Sequence, residues 1–187
     1  MQVRITSGQL KGCCITVPHT DLRPTEEKVR AAFFNTLFSM IDFNDRLFLD
    51  IFSGTGAMGF EAVSRGFKRA VLVENDFNAV KQIKENVAGI GMEDDFKILK
   101  KDAFSKNLFE FTGTSFSAIY IDPPYKLKFK IPKLIKNLTD SEVADKVCVI
   151  GIESGESFEP FELFVRGWSL KEKKFGGTYL TFLYNWE

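Results

Sequence analysis

The chain has 187 residues, 44% of them hydrophobic and 27% charged, and its 25 basic and 25 acidic side chains cancel to zero net charge. That composition excludes an intrinsically disordered chain and is enough for one substantial globular core. It also excludes a nucleic-acid binder that works through overall charge, so any basic footprint has to be local.

Residues 1–24 read as a short N-terminal arm. Val3-Arg4-Ile5-Thr6 and Cys14-Ile15-Thr16-Val17 alternate as strands around Gly8 and Gly12, which predicts a β-hairpin appended to the main sheet. Met1 to Gly8 lacks the apolar stretch of a signal peptide, and no run approaches the roughly 20 apolar residues of a membrane span, so a cytoplasmic protein is expected. Cys13, Cys14 and Cys148 have neither zinc-ligand spacing nor a disulfide framework. Residues 25–187 form the main domain. Thr25 is placed to cap a helix whose first turn carries Glu26 and Glu27, and Val29, Ala32, Phe33, Thr36, Leu37 and Met40 recur at helical spacing. Arg23 stands at the mouth of this helix.

The stretch from Leu47 to Glu74 reads as strand, glycine loop, helix, strand. Leu47-Phe48-Leu49 meets Asp50; Gly54-x-Gly56-x-x-Gly59 follows; Val71-Leu72-Val73 ends on Glu74. This is one βαβ unit with an acid closing each strand, and ligands of open α/β sheets sit at those strand ends. A glycine loop before a helix suits a nucleotide cofactor. Asp50, four residues before the first glycine, would repel a pyrophosphate. It would welcome a cofactor with a cationic end and no phosphate, and S-adenosylmethionine has an ammonium and a sulfonium. Asp50 would then hold the ammonium, and Glu74 the ribose hydroxyls.

A second helix is expected over about Phe77 to Ala88, stopped by Gly89 and Gly91. A strand over Phe96–Leu99 leads to a third strand-end acid, Asp102. Another strand, Phe116 to Ile121, runs into Asp122-Pro123-Pro124-Tyr125. Two prolines fix a rigid loop and remove two backbone donors, leaving acceptors beside an aromatic face. Acceptors with a stacking ring suit a planar group bearing an NH2, either a nucleobase or a carboxamide. Lys126, Lys128, Lys130, Lys133 and Lys136 make the next segment the most basic of the chain, placed to meet phosphates. A strand over Lys146–Ile152 ends on Glu153. Trp168–Phe175 and Thr178–Tyr184 read as a closing antiparallel hairpin turning at Gly176-Gly177. The fold class is therefore α/β: a doubly wound, Rossmann-like, mostly parallel sheet with an antiparallel C-terminal strand and an N-terminal hairpin arm.

Assembled, these residues resemble the class I S-adenosylmethionine-dependent methyltransferases, and within them the RsmD family. Members of that family methylate the 2-amino group of a guanine in bacterial 16S ribosomal RNA. The resemblance spans nearly the whole chain. It is carried by Arg4-Ile5-x-x-Gly8 with Lys11-Gly12, by Arg23-Pro24-Thr25 with Val29-Arg30-x-Ala32-x-Phe34-Asn35, by the Asp50–Gly59 loop with Glu61-Ala62-x-Ser64-Arg65-Gly66, and by Asp122-Pro123-Pro124-Tyr125. Lys174-Phe175-Gly176-Gly177-Thr178 is similar to the family's ending in a weaker form. Gln9, Cys13 and Cys14 stand where basic residues are usual, which lowers the RNA affinity expected of the arm.

The resemblance implies a cofactor site of Asp50, Phe52, Ser53, Gly54, Thr55, Gly56, Glu74, Asn75, Asp102 and Ala103, with Asp102 accepting from the adenine amino group. It implies a catalytic loop of Asp122, Pro123, Pro124 and Tyr125, and substrate contacts from Arg23, Thr25, Arg30, Lys126 and Lys174. The cofactor is S-adenosyl-L-methionine; no metal is expected. The partner is 16S ribosomal RNA, free or within the assembled or assembling small subunit, and the protein is expected to be a monomer with no membrane partner. Four readings compete. A protein glutamine carboxamide methyltransferase typically has asparagine at the Asp122 position and a helical N-terminal domain, neither of which is seen here. A dinucleotide oxidoreductase is disfavoured by Asp50. A DNA adenine or cytosine amino-methyltransferase shares the acid-Pro-Pro-aromatic loop but usually carries a recognition domain for which this chain has no room. A non-catalytic RNA-binding module would have no need for Asp50, Glu74 and Asp122.

Overall fold

The computed structural model of the chain describes residues 1–17, 25–105, 108, 114–159 and 162–186. Arg23, expected at the mouth of the first helix, lies outside them.

The centre of the molecule is a sheet of apolar strands: β3 (Leu47–Ile51), β4 (Arg69–Glu74) and β6 (Phe116–Ile121), buried along almost their whole length. Strands covered on both faces read as continuous apolar runs, as these do. With β5 (Phe96–Lys100), β7 (Ala144–Ser154), β8 (Ser169–Phe175) and β9 (Thr178–Tyr184) they form seven strands in the order β5-β4-β3-β6-β7-β9-β8. The first five pair in parallel, and β9 runs antiparallel between β7 and β8. The chain winds outward from β3 through β4 to β5, then returns to the other side of β3 as β6. The order therefore reverses between β3 and β6, and such a switch point opens a crevice at the carboxyl ends of the strands.

One face of the sheet is covered by α1 (Glu27–Phe38), α2 (Ala57–Ser64) and α3 (Phe77–Ile90), the other by α4 (Ile131–Thr139). Phenylalanine fills the first face: Phe33 lies edge-on to Tyr120 and stacks on Phe182, and Phe34 packs on Phe48. Among the described residues no helix is long and apolar enough to cross a membrane.

Several boundaries depart from the sequence expectation. Thr25 does not cap α1; Glu26 holds that position without a side-chain bond, and the Thr25 carbonyl instead accepts from Arg30 Nη1 at 2.6 Å. Helix α3 runs through Gly89 and stops at Gly91, whose left-handed backbone (φ 68°) turns the chain out. Strand β7 is longer than expected at both ends, because it is paired on one edge by β6 and on the other by β9; Glu153 lies inside it, opposite Leu180.

The arm hairpin, β1 (Gln2–Arg4) and β2 (Cys14–Thr16), forms its own two-stranded sheet and does not extend the main one. Its apolar side chains Val3, Ile5, Ile15 and Val17 are buried in the core shared with α1, α2 and α3. Polar groups of α2 anchor it. Glu61, fully buried, accepts from the Thr6 amide at 3.0 Å, from the Thr6 hydroxyl, and from Arg65 Nε at 2.8 Å. Ser64 accepts the Leu10 amide on Oγ and the Gln9 amide on its carbonyl. Gly8 is required there: a Cβ would lie 1.7 Å from the Ser64 carbonyl oxygen, and its φ is +82°.

Candidate active site

The crevice is built from the ends of β3, β4, β6 and β7. After β3 the chain turns sharply. Phe52 has φ 65°, a strained conformation for a bulky residue, and Gly54 and Gly56 are also left-handed. The turn is held from beneath: the Ser53 hydroxyl reaches the Asp50 and Val73 carbonyls at 2.9 and 3.0 Å, and the Ser53 amide donates to Val73 at 3.0 Å. The Gly56 amide closes back on Ser53 at 2.7 Å, and Thr55 Oγ1 accepts the Ala57 amide that opens α2.

Glu74 locks this loop to the end of β4. Its Oε2 accepts the Gly54 amide at 2.8 Å, and its Oε1 accepts the amides of Asn75 and Asp76 at 2.7 and 2.8 Å. Three backbone donors hold the carboxylate in one orientation while lone pairs remain for a diol. Asn75 is exposed at the rim. At the end of β5, Asp102 is exposed and accepts the Phe104 amide at 2.9 Å, beside the buried Ala103.

Asp50 is buried, and its Oδ2 has no hydrogen-bond partner. Burial pushes its carboxyl up to about 8, against the pull of the Gly59 amide and with a further push from Glu74. An orphaned buried acid is expensive, and its retention at a switch point points to a cationic group that supplies the missing donor. These residues fit the ammonium, ribose and adenine parts of S-adenosylmethionine.

Across the switch point, Asp122 continues the β3–β6 ladder by donating its amide to the Ile51 carbonyl at 3.4 Å. Pro123 and Pro124 then swing the chain into a short 3-10 turn over Tyr125–Lys130. Asp122 and Pro123 line a cleft of about 110 Å³ together with Tyr125, Lys128, Glu153, Ser154, Gly155 and Thr178. Tyr125 is 74% exposed, and its hydroxyl interacts with Glu156. Burial first, then Glu153 and Asp50, push the Asp122 carboxyl well above the usual carboxylate range.

The structure thus brings together the strand-end acids Asp50, Glu74 and Asp122 and the glycine loop. It does not bring Arg30 to them as an open cation. Arg30 is 2% exposed, and its two terminal nitrogens donate to the backbone carbonyls of Thr25 and Arg4, at 2.6 and 2.9 Å. Helical spacing turns Arg30 inward, so it ties α1 to the arm. Thr25 shares that tie. Lys126 is exposed beside the cleft; Lys174 lies over the Tyr179 ring near the β8–β9 turn. The basic segment is partly neutralised, since Lys128 binds the Ser157 carbonyl and Glu156 while Lys136 pairs with Asp140.

Sequence reasoning passed over Tyr120 and Glu153 as site residues. Tyr120 donates its hydroxyl to Glu153 Oε2, and Glu153 lines the Asp122 cleft. The available signal was a fifth acid at the end of a strand, after Asp50, Glu74, Asp102 and Asp122.

The family described as Conserved hypothetical protein 95 matches residues 3–184. The chain belongs to this family. Ribosomal RNA small subunit methyltransferase D of Escherichia coli (strain K12) is 32% identical over 187 residues, covering 100% of this chain and 91% of that protein. Among solved structures, yhhF from Escherichia coli superposes with a TM-score of 0.84 at 30% identity, covering 99% of this chain and 98% of that one. The N-terminal domain of human METTL16 in complex with SAH has a TM-score of 0.73 at 15% identity over 92% of this chain and 75% of that one, a likeness of fold alone. Family members of this type are methyltransferases, and the crevice described above is where such a fold carries its chemistry.

Proposed function

We propose that the protein transfers a methyl group from S-adenosylmethionine to the 2-amino group of a guanine in small-subunit ribosomal RNA. The single observation that carries this reading is the pairing, across one switch point, of an orphaned buried carboxyl at Asp50 with the Asp122-Pro123-Pro124-Tyr125 loop. Relatives named as ribosomal RNA small subunit methyltransferases support the substrate class.

Asp50 holds the cofactor's ammonium, Glu74 its ribose hydroxyls, and Asp102 and Ala103 its adenine. When bound, the cofactor supplies an electrophilic methyl group on a sulfonium. The protein's part is orientation. A guanine amino nitrogen is a poor nucleophile because its lone pair is delocalised into the ring. The Asp122 carboxylate and the Pro123 carbonyl accept its two hydrogens, favour a pyramidal nitrogen and aim the lone pair outward. The exposed Tyr125 ring stacks on the base and sets its plane. Positioning of this kind lowers barriers by up to about 7–11 kcal/mol in favourable cases. Chemistry on a base edge also requires an unpaired or flipped nucleotide.

The test uses tritiated S-adenosylmethionine with deproteinised 16S RNA, small subunits from a strain lacking the activity, and unmethylated DNA. Label in 2-methylguanine from RNA or subunits is the expected result. Label in DNA adenine or cytosine would keep the site and overturn the substrate.

A further inference from the structure

Glu153 is held by a chain of contacts that begins in the core. In β6, Tyr120 stands between Asp50 of β3 and Gly151 of β7. Phe33 of α1 occupies the space over Gly151, where a Cβ would lie 2.3 Å from its ring, and packs edge-on against Tyr120 at 4.8 Å. Wedged in this way, the Tyr120 ring points its hydroxyl at the carboxyl end of the sheet, where it donates to Glu153 Oε2. Glu153 lies one residue past Ile152, and Asp122 one residue past Ile121, its parallel partner. The two acids are therefore neighbours, and both line the same cleft.

Two desolvated carboxyls side by side destabilise each other unless donors enter between them. Burial pushes Glu153 up, the Tyr120 hydroxyl pulls it down, and Glu26, at the N-cap of α1, pushes it further up. Asp50 adds to the negative field at Asp122. Lys128 lines the cleft, but its ammonium is engaged by Ser157 and Glu156. What the pair lacks is a ligand edge rich in hydrogen-bond donors. Guanine has one: its 2-amino group offers two hydrogens and N1–H, next to it, a third. Adenine and cytosine place an acceptor nitrogen beside their amino groups.

We propose that Glu153, oriented by Tyr120, accepts the N1–H of the target guanine and so selects guanine over bases with an acceptor at that position. This rests on the guanine 2-amino reading above and assigns Glu153 the part of that edge which Asp122 and Pro123 leave free. A site built to accept a substrate hydrogen rejects an analogue that lacks it strongly, because its own buried acceptor is left facing a lone pair.

The test replaces the methylated guanine by 2-aminopurine, which keeps the 2-amino group but carries a lone pair at N1, in 16S RNA reconstituted into small subunits. Transfer to both substrates is measured at mildly alkaline pH with the wild-type protein, Glu153→Gln and Tyr120→Phe. The wild type is expected to prefer guanine by at least about a hundredfold. Glu153→Gln, whose amide can donate to N1, is expected to lose at least about tenfold on guanine and to gain on 2-aminopurine, collapsing the preference. Tyr120→Phe keeps the carboxyl and should keep the preference at a reduced rate. Equal loss on both substrates in Glu153→Gln would overturn the proposal, as would a wild type that methylates both equally, which needs no variant to fold. Wild-type protein that labels no guanine at all would instead overturn the underlying reading, and this inference with it.

Discussion

Asp50 and Asp122 are one residue type in two environments, and the proposed reading gives them two tasks. Asp50 sits deep with an unpartnered oxygen, so it has a stability signature. Burial pushes its carboxyl up to about 8 in the folded protein, from an ordinary value of 3.8. A raised carboxyl means that the folded state binds the proton more tightly than the unfolded state. Stability is then fullest below about pH 4 as far as this group is concerned, and falls as pH rises toward 8, by about 1.4 kcal/mol per pH unit. Thermal melts of the cofactor-free protein should show Asp50→Asn flattening this decline and melting above the wild type at pH 8. The same substitution should weaken S-adenosylmethionine binding at least about tenfold by calorimetry, the scale of one charge-assisted contact. On the proposed reading, Asp122→Ala should abolish transfer while leaving cofactor affinity nearly unchanged, since Asp122 lines the cleft with Pro123 and Tyr125; transfer at a normal rate would mean that Asp122 is not the acceptor for the amino hydrogens.

Between elements, the decisive contact is the one joining the arm to α2. The family pattern Glu61-x-x-Ser64-Arg65 looks like a continuation of the cofactor loop when read along the chain. In three dimensions Glu61 and Ser64 accept backbone amides of the arm, while Arg65 donates to Glu61 and to the Thr6 hydroxyl. Removing one partner of a buried ion pair leaves an uncompensated charge, at a cost of about 3–5 kcal/mol. Glu61→Ala should therefore lower the melting temperature and raise amide exchange at Thr6, Leu10 and the hairpin first. Retained protection there would show that the apolar side chains Val3, Ile5, Ile15 and Val17 suffice to dock the arm.

At the scale of the whole molecule, a neutral protein has to meet a polyanion through a local patch. The lysines after the Asp122-Pro123-Pro124-Tyr125 loop are unequal. Lys126 and Lys133 are exposed, whereas Lys128 and Lys136 are held by acids of their own surface. RNA affinity should fall with salt, and Lys126→Ala with Lys133→Ala should reduce the slope of log affinity against log salt by about 0.7–0.9 for each phosphate contact removed. Lys136→Ala should leave that slope nearly unchanged. Equal effects from all of them would mean that the intramolecular pairs break on binding.

Local pattern was enough for the strands, the glycine loop and the acid-Pro-Pro-aromatic turn, because apolar period, glycine backbone and proline sterics are properties of neighbouring residues. Asp50 and Glu74 could be assigned to one crevice for the same reason: a βαβ unit has one handedness and one ligand edge. What lies between distant segments was decided only by the tertiary structure. Arg30 looks like a free cation until α1 turns it inward onto the carbonyls of Thr25 and Arg4. Glu153 looks like one more strand-end acid until β7 takes its place beside β6, Phe33 fills the space over Gly151, and Tyr120 is left to aim it. Strand order and burial set those roles, and neither is a property of residues adjacent in the chain.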